Sequence, residues 1–173
     1  MKTFYIFLDI DGVMNDFSYW NKCKEKNKNP RFMQMENYPF NPESLNNLMK
    51  LSQYLLHQQT VTRIVLSSTW RLDDTSTAIV NSRLAEYGMT IYNKTPRLDK
   101  LPLDKLNSHR SLEIKAWLNS NKNPTKYLVL DDCTDILNNF ENNHCINTDE
   151  HFGFNEEKLQ EAIKKVEEQY GKN

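Results

Sequence analysis

Apolar residues in this chain fall into short runs typical of buried strands, separated by segments with helical spacing. The runs at residues 4–10 (FYIFLDI), 61–66 and 126–133 (KYLVLDDC) are rich in β-forming residues and mostly apolar at successive positions. Such runs are typical of parallel strands that are covered on both faces. Two shorter stretches, at residues 89–93 and 144–149, predict further short strands.

Segments with helical spacing lie between these runs. Pro42 is suited to a first helical turn, Ser108 to an N-cap and Gly88 to a helix end. The basic, polar stretch at residues 21–30 (NKCKEKNKNP) predicts a solvated loop. Strands that alternate with helices predict βαβ units and a mainly parallel sheet, so the fold class is α/β. The predicted helices cover residues 41–59, 75–88, 109–121 and 155–170.

Polar side chains stand where three of the predicted strands end. Because sites in open parallel sheets lie beyond the carboxyl ends of the strands, we expect these side chains to lie at one edge. Carboxylates gathered there repel each other unless a cation lies between them, and oxygen ligands suit Mg²⁺. Serine hydroxyls would bind phosphate oxygens together with a cation, Arg110 or Lys115, from the start of the helix that precedes the strand ending in Asp131. The strand-end residues are Asp9 and Asp11, then Ser67, Ser68 and Thr69, then Asp131 and Asp132.

Composition narrows the class of protein without naming a function. At 173 residues the chain has the usual length of one domain, and we predict a single domain over residues 1–173. The formal net charge of -1 favours neither a generic nucleic-acid binder nor a protein of the membrane surface. No apolar run approaches the roughly 18 residues that span a bilayer, so we expect a cytoplasmic protein. The three cysteines form no CxxC pair, which predicts ordinary thiols.

The residues around Asp9 and Asp11 also bear on other classes of site. An EF-hand is excluded because Gly12 directly follows the second acid, where a calcium loop needs another ligand first. The chain has no Walker A sequence and no GxGxxG, so kinase and dinucleotide readings are unsupported. An Asp-x-Asp pair that chelates a nucleotide sugar, as in glycosyltransferases, remains open at this point.

Four segments carry the acids, hydroxyls and cations described above. FLDIDGVMN has an Asp-x-Asp pair before a glycine, IVLSSTWR ends an apolar strand in serines, and LVLDD ends another strand in two acids. These three resemble motifs of the haloacid dehalogenase (HAD) superfamily of phosphohydrolases. HRSLEIKAWL resembles the corresponding segment of the Swiss-army-knife RNA-repair branch, in which SSxWR and an Arg before xEIxxWL recur. The resemblance covers about residues 3–160 and implies a three-layer, Rossmann-like fold with a minimal cap.

The resemblance implies separate roles for the two acids of the first motif. Asp9 would be the nucleophile that takes the phosphoryl group, and Asp11 would be the general acid and base. Mg²⁺ would be held by Asp9, by the backbone carbonyl of Asp11, and by Asp131 with Asp132.

The other two motifs would bind the phosphoryl group. Ser67 matches the hydroxyl position of the second motif, with Ser68 as a close competitor. Arg110 matches the cation of the third motif, with Lys115 in reserve. Ser111 stands where the branch tends to have glycine.

Only a short cap-like insert is predicted, at residues 14–41, and residues 93–107 are expected to form a loop. An open site resembles that of family members which admit large substrates. Aromatic and basic residues in the insert could stack bases and meet phosphates, although a solvated loop with a few anchoring aromatics is the simpler explanation. These residues are Tyr19, Trp20, Lys22, Lys24, Lys26, Lys28, Arg31, Phe32 and Tyr38.

The hypothesis from sequence is therefore a Mg²⁺-dependent phosphomonoester hydrolase with an aspartyl-phosphate intermediate. Its substrate would be a nucleotide or the phosphorylated end of a nucleic acid. A noncatalytic module that only binds metal and phosphate is the alternative from another class, and a phosphotransferase would share every residue. The sequence does not indicate the oligomeric state.

Overall fold

A five-stranded sheet forms the centre of the protein in the computed structural model, which describes residues 1–27, 38–98 and 109–171. The strand order is β3-β2-β1-β4-β5, and every neighbouring pair is parallel. The α/β fold with a mainly parallel sheet, predicted from the sequence, is confirmed. The strands are β1 (Lys2–Leu8), β2 (Thr60–Leu66), β3 (Ile91–Lys94), β4 (Tyr127–Asp131) and β5 (Cys145–Asn147).

Helices connect the strands and follow the last of them. The four helices predicted from apolar spacing are present with their ends shifted by a few residues. Gly88 has a φ of +71° just beyond one of them, as expected for a helix end. The predicted N-cap Ser108 lies outside the described residues. The helices are α1 (Phe17–Lys26), α2 (Pro42–His57), α3 (Asp74–Ala85), α4 (His109–Ser120), α5 (Thr134–Leu137) and α6 (Glu156–Gln169), with 3₁₀ turns at Thr69–Leu72 and Asn142–His144.

The two faces of the sheet pack against separate apolar cores. One core joins Ile6 and Leu8 of β1 to residues of α2, α3 and α6. The other joins Phe7 of β1 to Ile114 and Trp117 of α4. Alternate residues of β1 are therefore buried on opposite faces, as the continuous apolar run predicted. The result is a three-layer arrangement of helix, sheet and helix.

The loop predicted at residues 21–30 is wrong where the structure describes it, because α1 (Phe17–Lys26) is helical. The Asp16 side chain caps this helix by accepting a hydrogen bond from the Tyr19 amide at 2.8 Å. The backbone amide of Phe17 donates to the carbonyl of Glu150 at 2.9 Å. Because Glu150 is far from Phe17 along the chain, the local composition of residues 21–30 could not indicate this hydrogen bond.

The sheet order creates a switch point at β1, whose neighbours β2 and β4 lie on opposite sides. Leu8 pairs with Leu66 of β2 and with Leu130 of β4, so the three strands end at the same level. In sheets of this kind ligands bind at the carboxyl ends beside the switch point. The strand-end acids and hydroxyls predicted from the sequence lie at this edge. Across the described ranges, no helix is long and apolar enough to cross a membrane.

Candidate active site

Asp9 lies directly after β1, at the centre of the edge. Its backbone amide donates to the carbonyl of Leu130 at 3.0 Å, which holds the chain against β4 for one residue beyond the strand. Its side chain is almost fully buried. Oδ2 accepts a hydrogen bond from Arg110, whereas Oδ1 has no hydrogen-bond partner among the described residues. A buried carboxylate oxygen without a partner is costly, so a ligand at this point would be stabilised.

Arg110 connects two of the acids. Its Nη1 donates to Asp9 Oδ2, and lies 3.0 and 2.9 Å from Oδ1 and Oδ2 of Asp131. Burial opposes the charged form, but the carboxylates of Asp9 and Asp131 outweigh it and raise the pKa of Arg110. Lys115 lies further along α4, where its Nζ contacts Asn139 Oδ1 at 3.3 Å. Of the two candidate cations, the structure brings only Arg110 to the acids.

The carboxylates of Asp9, Asp131 and Asp132 form a cluster in which one oxygen from each lies within 4.8 Å of the others. Burial raises the pKa of Asp9 to about 6, and the charge of Asp131 adds to this effect. Burial also raises the pKa values of Asp131 and Asp132. Arg110 acts in the opposite direction on all three but does not remove the shifts. The cluster therefore lacks positive charge, and three oxygen donors at this spacing fit a divalent cation such as Mg²⁺.

Gly12 sets the position of Asp132. Its φ is +69°, and a Cβ atom there would lie 2.3 Å from Asp132 Oδ2 and 2.6 Å from its Cγ. The carbonyl of Gly12 accepts a hydrogen bond from Thr148 Oγ1 at 2.9 Å, which ties the turn to the residue after β5. Glycine is thus required here both for its backbone conformation and for the close approach of a carboxylate.

Asp11 lies apart from the acid cluster. Its Oδ1 accepts from the Asn15 side-chain amide at 2.9 Å, and its Oδ2 accepts from the Trp70 indole N–H at 3.0 Å. Both donors are neutral, and the side chain is exposed to solvent. The Asp11 carboxylate is therefore not in the cluster, and the role predicted for Asp11 at the metal, through its backbone carbonyl, stays a prediction. The arrangement fixes an accessible carboxylate in one orientation.

Ser67 and Ser68 differ in what their hydroxyls contact. Ser68 Oγ accepts from the Trp70 amide at 3.5 Å and so caps the 3₁₀ turn at Thr69–Leu72. Ser67 follows β2 directly, is fully buried, and its Oγ has no partner among the described residues. The hydroxyl of Ser68 can still donate its own proton, and its hydrogen bond to Asp9 lowers the pKa of that carboxyl. Both serines therefore stay candidates for binding a phosphoryl oxygen.

Arg71 supports the serine turn from behind. Its Nη1 donates to the carbonyls of Ser67 and Ser68 at 3.0 and 2.8 Å, and its Nε donates to the carbonyl of Thr95 at 3.1 Å. Its Nη2 forms a buried ion pair with Glu113, which lies one helical turn after Arg110 on α4. This pair couples the serine turn to the helix that carries the arginine.

Sequence reasoning missed the supporting residues Asn15, Trp70 and Arg71. Trp70 is buried, and its N–H also holds Asp11. The recurrence of Trp and Arg in SSxWR was the available signal, although it did not specify their contacts. Asn15 has no signal beyond lying four residues after Asp11.

A cavity of about 370 Å³ opens beside Asp11, Gly12 and Asp132. Its wall includes Phe17 and Trp20 of α1, so the insert contributes to the site. Other insert residues that were predicted to meet nucleic acid, Lys28, Arg31 and Phe32, lie outside the described residues. The predicted loop at residues 93–107 is likewise described only up to residue 98.

Taken together, a parallel α/β sheet with acids, serines and an arginine at its switch point defines a HAD-type domain. Residues 5–159 match the family described as the HAD domain in Swiss Army Knife RNA repair proteins. The chain belongs to this family, and the resemblance stated from its motifs is confirmed. Comparison with curated proteins and with solved structures gave no significant match.

The buried ion pair of Arg71 and Glu113 should be much more important for stability than an exposed one. We expect Glu113→Leu to lower the free energy of unfolding by about 3 kcal/mol, because it leaves the Arg71 charge buried and unpaired. Glu86→Gln removes the partly exposed pair with Arg83 and should cost less than about 1 kcal/mol. Urea denaturation of both variants measures the difference, and equal losses would contradict the role of the buried pair.

Replacement of Gly12 should disturb the acid cluster more than backbone strain alone explains. We expect Gly12→Ala to displace Asp132 and weaken Mg²⁺ binding about tenfold or more, as measured by isothermal titration calorimetry. Gly88→Ala is the matched control, because Gly88 also has a positive φ but no heavy atom within 4 Å of the added Cβ. The two variants should lose similar stability from strain, and an unchanged Mg²⁺ affinity in Gly12→Ala would show that Asp132 is not a ligand.

Proposed function

We propose that this domain is a Mg²⁺-dependent phosphomonoester hydrolase in which Asp9 is the nucleophile and Asp11 the general acid and base. The observation that carries the proposal is the cluster of Asp9, Asp131 and Asp132, with Asp9 Oδ1 buried and unpartnered in the described part of the chain. Family membership supports phosphohydrolase chemistry. Asp9, Asp131 and Asp132 would hold Mg²⁺, which supplies positive charge to the carboxylates and to the phosphate.

In the first half of the reaction, an oxygen of Asp9 attacks phosphorus and the bond to the leaving oxygen breaks. The phosphoryl group is then an acyl phosphate on Asp9. Asp11 gives its proton to the leaving oxygen, so the product departs as an alcohol. The hydroxyl of Ser67 or Ser68 and the guanidinium of Arg110 would bind phosphoryl oxygens as charge develops on them.

In the second half, water attacks the phosphorus of the acyl phosphate and Asp11 takes the proton from that water. Inorganic phosphate leaves, and both the Asp9 carboxylate and the protonated Asp11 are restored. Asn15 and Trp70 hold Asp11 in one orientation for both proton transfers. The burial of Asp9 and the exposure of Asp11 are consistent with this division of labour, since only Asp11 must exchange protons with groups that enter and leave.

The proposed substrate is a nucleotide or the phosphorylated end of a nucleic acid. The description of the family as a domain of RNA repair proteins supports this class. The cavity beside Asp11 is where the leaving group would lie, because Asp11 donates to the leaving oxygen. Its volume of about 370 Å³ is within the range of about 300–1,000 Å³ that is usual for small-molecule sites.

Loss of the nucleophile should abolish turnover. With p-nitrophenyl phosphate and Mg²⁺ we expect release of inorganic phosphate by the wild type and a loss of about 10³-fold or more in Asp9→Asn. Removal of Mg²⁺ with a chelator should have a similar effect that added Mg²⁺ reverses. Asp74→Asn, which changes an exposed aspartate on α3, is the control and should retain activity. No turnover by the wild type, or equal turnover by Asp9→Asn, would contradict the proposal.

The proton donated by Asp11 should matter most for poor leaving groups. Nitrophenolate leaves readily without a proton, whereas the alkoxide of an alkyl phosphate does not. We therefore expect Asp11→Asn to lower kcat/KM for an alkyl phosphate far more than for p-nitrophenyl phosphate. Trp70→Phe removes the hydrogen bond to Asp11 together with part of a buried ring that packs on Tyr38 and Phe40. It should have the same selective effect but a smaller one, since Trp70 is a positioning residue.

Trp117→Phe is the matched control for the tryptophan variant. Trp117 is also buried, but its indole N–H has no partner in the described ranges and it packs in the core on α4. It should leave the ratio of the two kcat/KM values unchanged. If Asp11→Asn slowed both substrates equally, Asp11 would not be the group that protonates the leaving oxygen.

A further inference from the structure

We infer that the cavity beside Asp11 binds an uncharged nucleoside as the leaving group, with its base stacked on Trp20 of α1. The inference rests on the proposed hydrolase function and narrows its substrate to a phosphate monoester of a nucleoside. A nucleoside polyphosphate or a sugar phosphate without a base would fit the same cavity less well.

The aromatic wall is the first observation that supports a base. Phe17, Trp20 and Tyr38 line the cavity together with Asp11, so planar groups stand next to the proposed proton donor. Phe17 is about half exposed and Trp20 is partly exposed, which leaves ring surface accessible to a ligand. Aromatic side chains that stack bases are the usual means by which proteins hold unpaired nucleotides.

Charge is the second observation. The described lining includes four acids and neither lysine nor arginine. Two of the acids are already engaged, because Asp11 accepts from Asn15 and Trp70, and Asp16 accepts from the Tyr19 amide and the Asn41 side chain. Asp132 is a proposed Mg²⁺ ligand, so its charge would be shared with the metal. Glu150 is left to accept a hydrogen bond from a neutral ligand, and its charge would repel a second phosphate.

The wall is held in place by backbone hydrogen bonds at the start of α1 and by a cation–π contact of Trp20. The amides of Phe17 and Ser18 donate to the carbonyls of Glu150 and His151 at 2.9 and 3.2 Å. Lys24 Nζ lies 4.9 Å from the centroid of the Trp20 ring, one helical turn further along α1. A site built on a capped and anchored helix can hold a ring at a defined place beside Asp11.

The decisive test compares substrates that differ only in the base. Adenosine 5′-monophosphate should have a KM about tenfold or more below that of ribose 5-phosphate, the lower part of the range expected for base stacking. Trp20→Leu should remove this difference by raising the KM of the nucleotide alone, and Trp20→Phe should largely restore it. Tyr92→Leu removes an exposed aromatic ring on β3, away from the cavity, and should change neither KM.

Adenosine 5′-diphosphate tests whether the cavity disfavours a charged leaving group. Hydrolysis of its terminal phosphate would release adenosine 5′-monophosphate, an anion, beside Asp11. The kcat/KM of the diphosphate should be lower than that of the monophosphate, and Glu150→Gln should reduce the penalty. The terminal nucleoside is the same in a free nucleotide and at the phosphorylated end of an oligonucleotide. Comparing kcat/KM for a 5′-phosphorylated oligonucleotide and for the free nucleotide therefore shows which of these two substrates the site prefers. Equal KM values for nucleotide and ribose 5-phosphate, or a Trp20→Leu variant that affects both alike, would overturn the inference.

A binding measurement separates this inference from the hydrolase proposal. Adenosine has no phosphate to hydrolyse, and isothermal titration calorimetry should detect its binding to the wild type and a loss of about tenfold or more in Trp20→Leu. If no phosphate ester is turned over but adenosine binds in this way, the hydrolase proposal fails and the nucleoside site stands. If no ester is turned over and adenosine does not bind, both fail.

Discussion

Burial of several negative charges at one edge of the sheet is the constraint on which the rest of the site depends. Asp9 and Asp131 are almost fully buried, and neither could be tolerated there without positive charge nearby. Arg110 supplies part of it by contacting both carboxylates, and the raised pKa values of the acids indicate that more is needed. The divalent cation and the phosphoryl group that we propose as ligands would meet this need together, because the cation would neutralise the carboxylates and the phosphate oxygens alike.

The serine turn, α4 and the turn at Gly12 are held in place by Arg71 and Thr148, which do not themselves contact the acids. Arg71 holds the serine turn by its carbonyls and reaches Glu113 on the helix that carries Arg110. Thr148 holds the turn at Gly12, where the absence of a side chain lets Asp132 approach. Each strand end is thus fixed by a neighbour from another element, which is how a site assembled from distant segments keeps the spacing its chemistry requires.

The insert after the first motif has a different relation to the site. The acid edge follows from the sheet, whereas α1 is placed by one cap and by hydrogen bonds to Glu150 and His151. A wall built in this way can change without disturbing the catalytic acids. On the proposed phosphoryl-transfer centre, substrate choice could therefore vary while the acids stay the same, in keeping with the general separation between a fold and the sites grafted onto it.

The sequence by itself determined the fold class, the order of strands and helices along the chain, and the family, because apolar periodicity and motif spacing are local properties. It also identified Asp9, Asp131 and Asp132 as strand-end acids, since parallel strands align their carboxyl ends. Only the tertiary structure decided that Arg110 and not Lys115 reaches the acids, that Ser68 caps the turn at Thr69–Leu72, and that Trp70 holds Asp11. These outcomes depend on which side chains from different elements meet, and α1 likewise depends on bonds across more than a hundred residues that no local pattern records.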